Sequence, residues 1–275
     1  MDITLANCSI MTVVAVFLSI GGMLLVRRNV SLDDLRKHHD VTDPLLAVLG
    51  TLFAILLGFM LANSMQRFED ARSNSQTEAA AIGAIYRISD GLPTASKMKT
   101  RKDCLTYLDQ VIDDEWPHMS DGKMSARAAS GIDNLWHDCV RYDPQTQGQA
   151  TIHQALVEAM STAGSCRRVR AAQLCYSLPA PLWVIVIFGG LSTICFTYFF
   201  AVDNVKLHML MTSVITMIIC LNIYMLAGFD APFSGDIAIT PAAFVTTRDL
   251  SLSISQREDY SAKTAPPQTQ SVDRN

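Results

Sequence analysis

The sequence predicts an all-α membrane protein with four transmembrane helices in two pairs and a soluble helical domain inserted between the pairs. Three observations predict this fold class. Four stretches are apolar for long enough to cross a bilayer, the residues between the second and third stretches place apolar side chains at helical spacing, and no segment alternates with period two for the length of a strand. Only 17% of the 275 residues are charged, which favours a membrane protein over a soluble one.

Composition and motifs exclude several classes of function. The formal net charge of −4 provides no positive field for nucleic acid, so we expect no nucleic-acid partner. The seven cysteines are odd in number and none forms a CxxC pair, which argues against a disulfide framework or a structural zinc site. The sequence carries no nucleophile elbow, phosphate-binding loop or HExxH motif. It therefore predicts no enzyme, no catalytic residue, no metal and no cofactor.

Residues 1–7 form a short N-terminal segment, and the first span follows at residues 8–26. A cleaved signal peptide carries its positive charge before the apolar run, whereas here Arg27 and Arg28 follow it, so we expect a retained helix. The connector at residues 30–43 carries charges of both signs and two neighbouring histidines, which cannot face one metal ion from a helix. We expect this connector to be a loop at the level of the lipid head groups.

The second span begins a single helix that is predicted to run from Pro44 to Leu92. Its first part is uncharged over about 22 residues, which matches a hydrocarbon core of roughly 30 Å. From Gln66 and Arg67 onward the sequence becomes charged and rich in alanine, with no Gly or Pro at the junction, so the same helix continues into water. Spans one and two thus occupy residues 8–65.

A soluble helical domain is predicted for residues 66–179. Apolar residues form three stripes at helical spacing, and clusters of Gly, Pro and Asp at residues 91–93, 117–122 and 143–148 mark the breaks between helices. The acidic run at residues 113–115 is expected on a solvated helix end. The stripes that are predicted to form the core contain Met98, Cys104, Leu105, Leu108, Val111, Ile112 and Trp116, then Met124, Ile132, Leu135, Trp136, Cys139 and Val140, then Ile152, Leu156, Met160, Val169 and Leu174.

Residues 180–229 are predicted to form a transmembrane hairpin of helices three and four. Two apolar stretches, residues 181–202 and 207–229, are joined by a link so short that the helices must be antiparallel. Residues 230–255 follow as an apolar, turn-rich docking segment, and residues 256–275 form a polar tail that is expected to be disordered. With four spans, the two termini and the inserted domain lie on the same side of the membrane.

One face of the second span suggests a pore. Thr51, Ile55 and Phe59 are spaced at i, i+4 and i+8 and share a face, which Asn63 and Gln66 continue toward water. If several copies of this face met around an axis, they would form a narrow apolar neck that opens into a polar vestibule, and such necks gate ion flow by dewetting. The residues alone leave an alternative open, in which this face packs against lipid or another helix.

Larger segments of the chain have a known counterpart. Their order and spacing resemble the bacterial bestrophin-like domain family over nearly the whole chain except the tail. The segments that carry this resemblance are residues 36–72, 78–93, 166–190 and 230–244.

Two shorter motifs are similar to bestrophin channels themselves. Leu-Gly-Phe at residues 57–59, with Arg67 and Phe68 at the foot of the span, resembles the bestrophin LGF…R-W pattern, and residues 232–235 resemble the PFG segment after the fourth helix. The helix-turn motif after the pore consists of Arg67, Phe68 and Arg72, and the C-terminal motif consists of Asp230, Pro232, Phe233 and Gly235.

The resemblance implies a homo-oligomeric ion channel of the bacterial inner membrane, with a pentamer favoured. Its partners would be copies of itself, the lipid bilayer and permeant inorganic ions. The neck of bestrophins would correspond here to Thr51, Ile55 and Phe59, although Thr51 and Glu69 depart from the family pattern. Animal bestrophins follow the C-terminal motif with an acidic run that holds calcium, whereas only Asp230 and Asp236 are available here, so calcium activation is not expected.

Three questions stay open from the sequence. A protein that has the same fold but conducts no ions would be a membrane-anchored interaction or sensing protein, and the sequence leaves this alternative open. Basic residues in the first connector argue for that loop on the cytosolic side, whereas the resemblance and the unpaired cysteines favour a cytosolic insert and cytosolic termini, the arrangement that we adopt. Side chains of both signs follow the second span, namely Glu69, Asp70 and Arg72, so no ion selectivity is predicted.

Overall fold

The computed structural model describes residues 4–30 and 39–264, and the chain within them forms two compact units. We call residues 1–72 with 172–239 the membrane unit, and residues 73–171 with 240–275 the helical unit. The described residues contain no strand, and the all-α fold class is confirmed. The helices are α1 (Leu5–Asn29), α2 (His39–Ile88), α3 (Thr94–Gln110), α4 (Trp116–Met119), α5 (Ala126–Arg141), α6 (Gln147–Leu174), α7 (Ala180–Thr197), α8 (Val205–Asp230) and α9 (Ala242–Thr264).

Among the residues that the structure describes, four helices are long and apolar enough to cross a membrane, namely α1, α2 from Pro44, α7 and α8. The predicted hairpin is present as α7 and α8, but α7 ends at Thr197 and α8 begins at Val205, so the link is longer than the sequence suggested. The side chain of Asn204 sets the start of α8, because it accepts hydrogen bonds from the backbone N–H groups of Lys206 and Leu207.

The long helix predicted at the centre of the chain is observed as α2, which has 50 residues. It begins at His39, ahead of Pro44, so part of the expected connector is helical, while residues 31–38 of that connector lie outside the described residues. A short 3₁₀ turn at Ser89–Gly91 follows the end of this long helix. The first part of α2 belongs to the membrane unit and its last part to the helical unit.

Within the membrane unit, α2 packs through one face. Phe53, Leu57 and Met60 of this face are buried among apolar side chains of α7 and α8. A Cβ atom on Gly189 of α7 would lie 2.5 Å from a ring carbon of Phe53, so the missing side chain is what lets the ring approach. This packing fixes which face of α2 remains exposed.

Polar contacts hold α1 to the hairpin. The guanidinium of Arg27 donates to the carbonyl oxygens of Val202 and Asp203 at 2.7 and 2.8 Å. Nearer the middle of the helix, the hydroxyl of Thr216 lies 2.9 Å from that of Ser19. Arg27, read from the sequence only as the charged end of the first span, therefore secures the turn between α7 and α8.

The helical unit has an apolar core, and several of its members follow the predicted stripes. Ile82, Ile85, Leu108, Leu135 and Leu156 are buried there. The stripes extend further than the core does, because residues at their edges lie on helix faces that the described residues of this unit leave exposed. The residues predicted as core but found exposed are Met98, Trp136, Val140 and Val169.

Four buried charges form a network inside the helical unit. The Arg170 guanidinium lies 2.8 Å from carboxylate oxygens of both Glu78 and Glu115, and Arg167 holds Glu115 through two contacts of 2.6 and 2.5 Å. The hydroxyl of Tyr107 donates to Glu78 at 2.5 Å. The prediction that the whole acidic run at 113–115 is solvated is wrong for Glu115, because a π-helical turn at Val111–Glu115 changes the face on which it lies.

The last helix, α9, differs from the expected tail. It continues to Thr264, so the part of the tail from Gln256 to that residue is helical, and residues 265–275 lie outside the described part of the chain. Arg101 of α3 donates to both carboxylate oxygens of Glu258 at 2.6 and 2.9 Å, and Lys97 lies 3.1 Å away. Hydrogen bonds from Arg101, followed by those from Lys97, lower the pKa of Glu258 to about 2. These contacts stabilise a segment whose composition alone is typical of disorder.

Candidate functional site

The three residues predicted for the neck lie on a face of α2 that the described residues of its own chain leave uncovered. Thr51, Ile55 and Phe59 are exposed, and Phe59 is 73% exposed. The opposite face carries Phe53 and Leu57, which are buried. Because the spacing of the three residues follows the helical repeat through an unbroken α-helix, their shared face is retained in the structure.

The same face becomes polar toward the end of the span. Asn63 and Gln66 are exposed, as predicted for a vestibule, and the Gln66 amide nitrogen donates to an Asp70 carboxylate oxygen at 2.9 Å. At the other end of the face, the Thr51 hydroxyl donates to the backbone oxygen of Ala47 at 2.7 Å. Thr51 thus satisfies its donor within the helix and presents oxygen lone pairs outward.

Arg67 lies at the foot of the span and faces its own chain rather than solvent. Its guanidinium is 2.8 Å from a carboxylate oxygen of Asp230 and stacks 3.9 Å from the centre of the Tyr176 ring. The Asp230 carboxylate also accepts hydrogen bonds from the backbone N–H of Leu178 at 2.9 and 3.1 Å. Phe68 packs edge-on against Phe229, with 5.4 Å between ring centres.

This cluster brings together residues from both predicted motifs. The sequence placed Arg67 in the motif after the pore and Asp230 in the C-terminal motif, but it gave no sign that the two form an ion pair. Tyr176 and Leu178 were missed entirely, because neither a stacking ring nor a backbone donor has a sequence signature. Arg72 does not belong to the cluster: its guanidinium is exposed and lies 3.7 Å from Glu69, a loose surface pair.

The C-terminal motif forms a turn directly after α8. Phe233 is buried, the backbone oxygen of Pro232 accepts from the N–H of Ile239 at 2.8 Å, and Gly235 has φ of +81°, a conformation that favours glycine. The turn brings Asp236 to the start of α1, where its carboxylate accepts from the backbone N–H of Leu5 at 2.5 Å. A carboxylate at a helix N-terminus is favourable because the free N–H groups there carry partial positive charge.

The two aspartates that could have held calcium thus have protein donors. Asp230 is bound by a guanidinium and a backbone N–H, and Asp236 by a helix N-terminus. Across residues 4–30 and 39–264, no group of three His, Cys, Asp or Glu side chains is arranged to hold a metal ion. The positively charged guanidinium of Arg67 takes the place that a bound cation would need in order to neutralise Asp230.

Comparison with known proteins agrees with this architecture. A variant of a bacterial bestrophin homologue from Klebsiella pneumoniae superposes with a TM-score of 0.68 at 13% identity, over 88% of this chain and 99% of that one. Another crystal structure of the Klebsiella pneumoniae homologue gives a TM-score of 0.63 at 14% identity, over 89% and 98% of the two chains. Similarity at this level shows a shared fold. No curated protein matches the sequence significantly.

The family assignment comes from the sequence itself. A family model described as the bestrophin-like domain matches residues 13–244, which is most of the chain and includes part of the first span, the other three spans and both motifs. The chain belongs to the bestrophin-like domain family.

Proposed function

We propose that the protein is the subunit of a homo-oligomeric ion channel, with a pentamer favoured, and that α2 lines its pore. The observation that carries this proposal is the face of α2 that contains Thr51, Ile55 and Phe59. Within residues 4–30 and 39–264, no part of its own chain covers this face, and the face runs unbroken from apolar side chains to polar ones. The wall of a channel needs both properties. It has to be uncovered so that it can face the central axis of the oligomer, and it has to change from apolar to polar so that ions can pass from a dry neck into a hydrated vestibule.

In this channel Ile55 and Phe59 form the hydrophobic gate. Rings of apolar side chains around a narrow axis exclude water, so ions pass only when the neck widens enough to admit a hydrated path. Thr51 is the polar lip at one end of the neck. Asn63 is the first position at which an ion that leaves the neck regains polar contacts, and Gln66 continues the vestibule.

The Arg67–Asp230 ion pair positions the pore helix. It ties the foot of the span to the end of α8 and to the backbone at Leu178, so α2 cannot rotate about its axis without breaking charge-assisted hydrogen bonds. Because Asp230 and Asp236 already have protein donors, the channel works without calcium.

The channel is placed in the bacterial inner membrane. With four spans, the termini and the helical unit lie on the same side, for which we favour the cytosol. All seven cysteines are free, which suits a reducing compartment.

Ion flux through liposomes that contain the purified oligomer tests the proposal. Wild type is expected to conduct, and Phe59→Ala is expected to conduct several-fold more because a smaller side chain widens and wets the neck. Phe188→Ala, which removes a similarly exposed ring from α7, is the matched control and should leave flux unchanged. Absence of flux from wild type and from Phe59→Ala, in oligomers that remain folded, would contradict the proposal and favour a non-conducting, membrane-anchored interaction or sensing protein.

A further inference from the structure

Resting on the proposed pore, we infer that the channel selects cations and that Asp70 is the residue that determines this preference. The carboxylates of all subunits would form a negatively charged ring in the vestibule, just beyond the neck. The permeant species are then small inorganic cations.

The position of Asp70 on α2 supports this role. The helix is unbroken from Phe59 to Asp70, and three helical turns separate the two residues, so their side chains point within about 20° of each other. Asp70 is exposed, like the residues of the neck. If the Phe59 side chain faces the axis of the pore, the Asp70 side chain faces the same axis.

The other charges near the foot of the span are directed elsewhere or neutralised. Glu69 and Arg67 lie about 80° to either side of the Phe59 direction, and Arg72 lies about 140° from it. Arg67 is bound by Asp230, and Arg72 and Glu69 lie 3.7 Å apart as a pair of opposite sign. Of the charged side chains of α2 between Pro44 and Arg72, Asp70 is the one that points within about 20° of Phe59.

Hydrogen bonding leaves oxygen atoms available on this face. The Gln66 amide nitrogen is used by Asp70, so the carbonyl oxygen of Gln66 and the second carboxylate oxygen of Asp70 remain available. The Thr51 hydroxyl likewise donates to its own helix. Oxygen lone pairs and carboxylates are the groups that stabilise a partly dehydrated inorganic cation, and they repel anions.

The influence of such a ring depends on ionic strength. Charges exposed to water act over a screening length of about 10 Å at 0.1 M salt and about 3 Å at 1 M. We therefore expect the preference for cations to be strong at low salt and to weaken as the concentration rises.

Reversal potentials across planar bilayers in a potassium chloride gradient test this inference. Wild type is expected to reverse near the potassium equilibrium potential. Asp70→Asn should move the reversal potential toward zero, and Asp70→Lys should move it to the chloride side. Glu69→Gln is the matched control, since it removes a neighbouring carboxylate that points about 80° away from Phe59 and lies beside Arg72, and it should behave as wild type.

Two outcomes would overturn the inference alone, and a third would overturn the proposed channel as well. A conducting wild type that prefers chloride, or an Asp70→Asn channel with the reversal potential of wild type, would show that Asp70 does not set selectivity, while the channel itself would stand. Absence of current from a folded wild-type oligomer would overturn the channel and, with it, this inference. Because Asp70 is exposed, its variants are expected to fold, and gel filtration of the oligomer verifies this.

Discussion

Asp230 is the residue at which three segments of the membrane unit meet. It ends α8, accepts from the guanidinium of Arg67 on α2, and accepts from the backbone N–H of Leu178 before α7. The carboxylate is largely buried, so the contacts replace water that it has lost. Removing its charge leaves a guanidinium whose two other buried nitrogen atoms already lack a hydrogen-bond partner.

We predict that Asp230→Asn destabilises the protein by about 2 kcal/mol. A fully buried broken pair would cost more, but Arg67 is 26% exposed and can regain water. Thermal unfolding in detergent measures the change. Asp236→Asn is the matched control, because its amide oxygen can still accept from the N-terminus of α1, and it should lie close to wild type. Equal stability of the two variants would contradict the prediction.

At the scale of single residues, the sequence predicts which side chains share a face of one helix, but it does not predict contacts between residues that are far apart in the chain. Thr51, Ile55 and Phe59 could be assigned to one face because helical spacing alone determines it. The partner of Arg67 could not be assigned, since helical spacing says nothing about which distant residue lies opposite an arginine. The same holds for Arg27, whose acceptors are the backbone oxygens of Val202 and Asp203.

Among the elements, the π-helical turn after α3 supplies one carboxylate of the buried charge network in the helical unit. It directs Glu115 inward from an otherwise solvated acidic run, where Arg167 and Arg170 bind it. Arg170 also lies over the rings of Trp116 and Phe244, with its guanidinium 5.5 and 5.6 Å from the ring centres. A buried pair of carboxylates is tolerated here because two guanidinium groups neutralise it.

We predict that Arg170→Ala destabilises the helical unit by about 3–5 kcal/mol, because it leaves Glu78 and Glu115 buried with one guanidinium between them. Arg168→Ala, an exposed neighbour on the same helix, should change stability by less than about 0.5 kcal/mol. Denaturant unfolding followed by tryptophan fluorescence reports the difference, since Trp116 lies beside the network. The network would have no structural importance if both variants unfolded at the same denaturant concentration.

Element boundaries were predictable where capping or breaking residues are local. The breaks around residues 91–93, 117–122 and 143–148 fall close to the ends of observed helices. The end of α9 was not predictable, because the segment around Glu258 is held by Arg101 and Lys97 of another helix. The π-helical turn was equally hidden, since no residue pattern in that run distinguishes it from an α-helix.

At the scale of the whole molecule, the membrane unit has several apolar faces that the part of the chain described by the structure does not cover. Phe17 on α1 and Phe188 on α7 are each 70% exposed, and Phe59 on α2 is 73% exposed. Exposure in one chain cannot separate a side chain that meets lipid from one that meets the axis of an oligomer. The α2 face differs from the other two because it continues through Asn63 and Gln66 along an unbroken helix, as the wall of a pore that opens into a vestibule would.

This difference is testable by chemical access from water. In a chain whose native cysteines have been replaced, Phe59→Cys is expected to react with a positively charged, water-soluble thiol reagent and to lose most of its ion flux, because the modified side chain occupies the neck. Phe188→Cys, from an equally exposed apolar position, should keep its flux because lipid shields it from the reagent. Flux measured in liposomes before and after treatment gives the comparison. Equal sensitivity at both positions, or none at either, would mean that α2 does not line the pore.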